Sequence, residues 1–217
     1  MLNLCWKYQV PGILLTEKHL SESAMSVELK PEDIEIMEPK MANDGEEYLR
    51  YKITDDGISP LKFPPSEDMI KWNSYEHSEN GITTEDAETI SKMHDARFRK
   101  GETVEKALRE MKTVNVYGDS GPVIFTYGST TMSVVEALKA GDIEATVIQP
   151  IYLEPFPKWA MKDFADSNPI VIEQSVSGMF ANLITEKTGI SPGTIIKRYD
   201  GRPFDPEELA EAIKEAI

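Results

Sequence analysis

The sequence predicts an α/β chain: a three-layer, open, mostly parallel sheet over its second half, preceded by a long extended stretch. Three observations carry this. From about residue 114, short apolar runs alternate with segments of helical periodicity. The runs Pro122–Tyr127, Ala145–Ile148 and Pro169–Ile172 are nearly continuous in apolar character rather than alternating, as in strands covered on both faces. Each is followed by a segment long enough to cross over, and β-α-β order imposes parallel strands with right-handed connections.

The elements follow in order. Leu2–Tyr8 reads as the end of a helix and Val10–Leu15 as a buried strand, although neither has neighbours enough to build a sheet. The expectation is that residues 1–26 are a remnant of another domain. Residues 27–113 read as an extended linker and a helical segment. Pro31, Pro39, the acids Glu28, Glu32, Asp33, Glu35 and Glu38, and turn pairs such as Pro64-Pro65 give the linker little core of its own. Stretches of this kind are functional or partner-bound more often than idle. Tyr48–Thr54 is the one edge-strand candidate in it. A helix starts near Thr83–Asp86, with acids in its first turn, and runs through Ile90, Met93 and Phe98 to Gly101; a second piece carries Val104, Leu108 and Met111.

Residues 114–217 form the α/β domain. Gly128-Ser129-Thr130 turns the first long strand into a helix bearing Val134, Val135 and Leu138, with Gly141 as its terminating residue. Pro157 opens a helix with Trp159, Met161 and Phe164. Met179–Thr188 is a helix closed by Gly189, and Thr194–Ile196 a fourth strand. Asp205-Pro206-Glu207-Glu208 begins the last helix as a cap, an N1 proline and an N3 glutamate placed to reach back.

Composition removes whole classes of function. The 23 Lys and Arg against 38 Asp and Glu give a net charge of −15, which opposes wrapping of nucleic acid. With Cys5 the only cysteine, the chain can supply neither a disulfide framework nor the four thiolates of an iron–sulfur cluster. This composition is that of a cytoplasmic protein. No apolar run approaches the ~20 residues that span a bilayer.

Five residues are candidates for a ligand site or an interface. Ser129 and Thr130 stand where a strand meets a helix N-terminus, a place that can hold an anion or be an ordinary capped turn. Glu173 ends a strand on the edge where ligands of open α/β sheets collect, and can bond a ligand or cap its own helix. Glu76 and His77 pair a carboxylate with an imidazole, a combination suited to proton transfer, to orienting a ligand or to packing on a partner. His19 and His94 show no metal-ligand spacing, so no metal ligands and no catalytic group are assigned. Arg97, Arg99 and Lys100 read as cations at a helix C-terminus, able to meet a phosphate. Gly118-Asp119-Ser120 lacks the later asparagine that a thiamine diphosphate–magnesium motif requires.

Several segments together resemble one family, the α subunits of 2-oxoacid:ferredoxin oxidoreductases of the 2-oxoglutarate type, over their C-terminal region. The segments are Lys7–Pro11 through Ser23, Tyr51–Pro60, Glu76-His77 with Gly81, Met93–Arg97 with Lys100, Tyr127–Thr130 with Glu136-Ala137, Pro155–Pro157, and Glu173-Gln174 with Gly178. The chain departs from the family pattern at Leu61, Ser175 and Met179, where Arg, Asn and Gln are usual.

The resemblance implies that residues 1–26 are the end of a thiamine pyrimidine-binding domain and that 114–217 are like the C-terminal domain of transketolase. It implies a role in oxidative decarboxylation of a 2-oxoacid to acyl-CoA, CO₂ and reduced ferredoxin. The family's substrate motif and activating glutamate have no counterpart here, so the chain is expected to serve assembly and active-site shaping and to be inactive alone. Thiamine diphosphate, Mg²⁺ and iron–sulfur clusters are then expected in the whole complex and not on this chain. The implied partners are the β subunit, further subunits, ferredoxin as electron acceptor and coenzyme A, with no nucleic acid and no membrane. In isolation the apolar N-terminal stretch predicts self-association as a symmetric dimer. The rival reading is a non-catalytic module binding a small anion or nucleotide near Ser129 and Glu173.

Overall fold

The structure, a computed structural model, describes residues 1–164 and 167–217. It divides into two compact units, one of Met1–Leu14 with Ala24–Ala107 and one of Leu15–Ser23 with Leu108–Ile217.

The second unit holds a five-stranded sheet of β1 (Val114–Tyr117), β2 (Val123–Phe125), β3 (Thr146–Pro150), β4 (Ile170–Glu173) and β5 (Thr194–Lys197), in the order β1-β3-β2-β4-β5. β2 is parallel to β3 and β4, and β4 to β5, whereas β1 runs antiparallel to β3. The sheet is therefore mixed but mostly parallel, and the antiparallel edge is an addition to what the apolar runs foretold.

The continuous apolar runs have their expected cause. Ile124, Val147, Ile170 and Ile172 point into one buried cluster with Val134, Leu209 and Ile213. Their neighbours Val123, Phe125, Ile148 and Val171 point into a second, with Phe156, Met161, Phe180 and Ile184. The first layer of helices is α4 (Thr130–Gly141) with α6 (Pro206–Ala216); α5 (Met179–Thr188) and the 3-10 turns Lys158–Ala160 and Lys162–Phe164 cover the opposite face. Those short turns replace the single helix expected after Pro157.

Two terminations differ from the sequence reading. The left-handed residue ending α4 is Asp142 (φ 50°), not Gly141. Gly141 instead permits close approach: a Cβ there would lie 2.8 Å from Ile143 Cδ1 and 3.0 Å from Ala210 Cβ on α6. Asp205 caps α6 by accepting from the N–H groups of Glu207 and Glu208, but the Glu208 carboxylate accepts from Arg198 Nη1 at 3.2 Å instead of reaching back.

The first unit has little regular structure. It contains α1 (Leu2–Tyr8) and a 3-10 turn at Pro31–Asp33, and α3 (Ala87–Arg109) runs through it; α2 (Lys18–Glu22) falls in the other unit. α3 is one helix of 23 residues, uninterrupted at Gly101. A helical glycine costs ~1 kcal/mol, which burial of Met93, Ala96 and Val104 on the same helix outweighs. Asp86 starts the helix, accepting from the backbone N–H and the hydroxyl of Thr89 at 2.8 and 2.7 Å.

Neither strand expected in this region forms. Among the described residues Val10–Leu15 pairs with no strand, and Ile13, Leu14 and Leu15 lie exposed. Tyr48–Thr54 turns at Arg50–Tyr51 because Glu79 stands in for a partner strand, its carbonyl accepting from Tyr51 N–H and its carboxylate from Ile53 N–H.

Candidate functional site

In the second unit, chain order puts β3 on one side of β2 and β4 on the other, so the connections leaving β2 and β4 diverge. The crevice at such a point, beyond the carboxyl ends of the strands, is where open α/β sheets bind ligands. The structure brings Ser129 and Thr130, after β2, and Glu173, at the end of β4, to this edge.

Ser129 is exposed and occupies the N-cap of α4, yet its side chain makes no cap hydrogen bond. Thr130 is buried. Gly128 at φ +57° has open space where a Cβ would project. The α4 N-terminus is thus bounded by small groups, with Thr131 N–H bonded to the Gly128 carbonyl and Met132 N–H to that of Ser129.

Glu173 is fully buried and entirely engaged. Its carboxylate accepts from Ser175 Oγ at 2.6 Å, Phe180 N–H at 2.9 Å and Ala181 N–H at 3.0 Å. Ser175 Oγ in turn accepts from the N–H groups of Gly178 and Met179. Glu173 and Ser175 therefore satisfy the free donors of the first turn of α5, a task that its N-cap, Gly178, has no side chain to perform. Tyr127 completes the group, its ring 4.6 Å from that of Phe180. Burial, reinforced by the Glu173 charge, pushes its phenol above the ordinary tyrosine value.

Glu76 and His77 lie in the other unit and diverge. An isolated bridge pairs His77 with Thr83, so the local backbone is extended and successive side chains point to opposite sides. Glu76 turns to α3, where Arg97 grips it with two hydrogen bonds of 2.8 and 3.0 Å and His94 approaches to 3.6 Å. The Arg97 hydrogen bonds hold the Glu76 carboxyl below its usual range. His77 turns inward and stacks on Tyr51 at 3.7 Å between ring centroids, with Nδ1 3.2 Å from the Ser78 carbonyl. Burial pushes its pKa down, and the charge of Arg97 acts in the same direction. The pair is no proton-transfer dyad: one member is in an ion pair and the other is a buried, neutral ring.

Beside Tyr51 lies a group that spacing does not reveal. Arg50 is buried, its guanidinium 4.2 Å from the Trp72 ring centre and 5.0 Å from that of Tyr51. Arg50 and Trp72 stand 22 positions apart in irregular chain, where no periodicity applies. By contrast, that His94 and Arg97 share one helix face was legible from their i, i+3 spacing, although their meeting with Glu76 was not.

Among the described residues no three His, Cys, Asp or Glu side chains gather as a metal site. Asp119 does not fit a diphosphate–magnesium site either. Its turn precedes β2, at the amino ends of the parallel strands, opposite the crevice. Among the described residues no helix is long and apolar enough to cross a membrane.

These features define a mixed, mostly parallel α/β unit whose crevice carboxylate supports a helix rather than facing a ligand. No family model matches the chain. The α subunit of 2-oxoacid:ferredoxin oxidoreductase from Saccharolobus solfataricus is 33% identical over the whole chain, and its counterpart in Sulfurisphaera tokodaii is 32% identical. In both cases the chain spans 36% of the relative's length. Among solved structures, 2-oxoglutarate:ferredoxin oxidoreductase from Magnetococcus marinus, with 2-oxoglutarate, coenzyme A and succinyl-CoA bound, matches 99% of the chain. It does so at a TM-score of 0.87 and 31% identity, over 39% of its own chain. Over its whole length the chain is similar to 2-oxoacid:ferredoxin oxidoreductase α subunits, and it spans roughly a third of the relatives it matches.

Proposed function

We propose that the chain is the C-terminal part of the α subunit in a cytoplasmic 2-oxoacid:ferredoxin oxidoreductase, and that its work is assembly and shaping of the active-site surroundings. The reaction of the complex would be oxidative decarboxylation of a 2-oxoacid such as 2-oxoglutarate to acyl-CoA, CO₂ and reduced ferredoxin. The observation that carries this is the match of 99% of the chain to one oxidoreductase structure at a TM-score of 0.87. The internal engagement of Glu173, Glu76 and His77 supports a scaffolding role, because these three candidates hold the fold through their own contacts.

In this reading thiamine diphosphate supplies the electron sink for the carbanion. It would be held with Mg²⁺ and the iron–sulfur clusters by other parts of the complex, since Asp119 lies at the wrong end of the sheet for that site. The β subunit is the first partner, ferredoxin the electron acceptor and coenzyme A the acyl acceptor. The exposed apolar side chains of Ile13, Leu14, Leu15, Leu20 and Met25 suit burial on such a partner, or in a symmetric dimer when the chain is alone.

Co-expression with a candidate β subunit tests the proposal. Co-purification and 2-oxoacid-dependent reduction of ferredoxin are expected only when the rest of the α subunit is supplied with both. Release of CO₂ from a 2-oxoacid by this chain alone, given thiamine diphosphate and Mg²⁺, would overturn the scaffolding role.

A further inference from the structure

We propose that Arg50 is the centre of an oxyanion site in the first unit, taking a phosphate group or a carboxylate. Only 6% of Arg50 is exposed, and a guanidinium stays charged wherever it sits. Removing such a charge from water costs several kcal/mol unless an opposite charge with good geometry meets it. Among the described residues no carboxylate lies within ion-pair distance of Arg50, and its buried Nε has no hydrogen-bond partner.

Two acids of the same unit are engaged elsewhere. Glu76 is held by both Nη atoms of Arg97, and Glu79 accepts from Ile53 N–H at 2.7 Å. The Trp72 and Tyr51 rings attract the cation and fix its plane, but they do not neutralise it.

A second cation shares the surroundings. The Lys100 ammonium has one hydrogen bond, to the Gln9 carbonyl at 3.3 Å, which is a neutral acceptor. Burial lowers the Lys100 pKa, and the positive charges of Arg50 and Arg97 lower it further. Among the described residues neither Arg50 nor Lys100 has a carboxylate partner, and the Arg50 Nε has no hydrogen-bond partner at all. A planar fork aligned by aromatic rings, with an ammonium within reach of its charge, suits two oxygens of one anion. The exposed Trp72 indole over Arg50 provides a reporter.

Titration calorimetry and tryptophan fluorescence of the full chain with inorganic phosphate, and separately with acetate, at constant ionic strength test the site. Saturable binding of at least one anion is expected, at least tenfold weaker in Arg50→Gln and several-fold weaker in Lys100→Gln. Tighter phosphate binding would assign the site to a phosphorylated ligand, and tighter acetate binding to a carboxylate side chain of a partner. Should Arg50→Gln fail to fold by circular dichroism, Lys100→Gln decides. No saturable binding of either anion, or binding that these substitutions leave unchanged, would overturn the proposal.

Discussion

The two units are stabilised in different ways. The unit built on β1–β5 buries two apolar clusters, one on each face of a sheet, with Phe125, Ile148 and Ile213 wholly withdrawn from water. The unit of residues 1–14 and 24–107 buries few apolar side chains and is held largely by single side chains that serve distant backbone. Glu79 braces residues 51–53, Asn73 bonds Gly81 and Thr83, and Thr103 bonds Asp56. The comparison teaches that a long chain with little regular structure can be fixed by specific polar contacts. Such contacts are worth ~1 kcal/mol each, so no single one dominates.

The difference can be broken most sharply in the sheet. Phe125→Ala removes a fully buried ring that meets Phe164 edge-on at 6.2 Å. It should cost ~3–5 kcal/mol in urea unfolding followed by far-UV circular dichroism. Glu173→Gln keeps the shape but removes the charge that three donors address. A loss of ~1–3 kcal/mol is expected, with faster amide exchange confined to Phe180 and Ala181. Exchange that is unchanged at those two amides would remove Glu173 from its capping role.

In the other unit the sensitive point is backbone against backbone. Gly57 sits at φ +70°, and a Cβ there would fall 2.4 Å from Lys100 N and 2.5 Å from Ala96 O on α3. Neither atom can move without unwinding the helix, so Gly57→Ala should cost more than about 1 kcal/mol.

Acid distinguishes the units next. The folded pKa of His77 lies below its unfolded value of about 6.5, so the unfolded chain takes up the proton first. The stability it provides is complete above that pH and is lost as the pH falls toward the folded pKa. Melting of the wild-type chain should decline just below pH 6.5, and His77→Phe should flatten that part of the profile. A profile that His77→Phe leaves unaltered would show that the ring is not buried as a neutral group.

The smallest effect on folding belongs to the exposed N-terminal stretch. Replacing Ile13, Leu14 and Leu15 by serine should change stability by less than about 0.5 kcal/mol per site. If the chain self-associates through this stretch as proposed, the same substitutions should leave it monomeric by light scattering at high salt, where the −15 charge is screened. A wild-type chain that is already monomeric there would remove the dimer.

What the sequence by itself determined was local chemistry and periodicity. The apolar runs Pro122–Tyr127, Ala145–Ile148 and Pro169–Ile172 were legible as strands covered on both faces, Asp205-Pro206 as the start of a helix, and Gly189 as the end of α5. These readings rest on interactions within a few residues, which spacing encodes. The antiparallel β1, the lack of any strand at Val10–Leu15 and the passage of α3 through Gly101 were decided by what lay nearby in space. Glu173 shows the same limit at the candidate site. Its position at the end of a strand was legible, but whether it faced a ligand or the first turn of α5 depended on how that helix returned over the sheet. Arg50 had no sequence signal at all, because Trp72, the ring over it, lies in a distant segment of irregular chain.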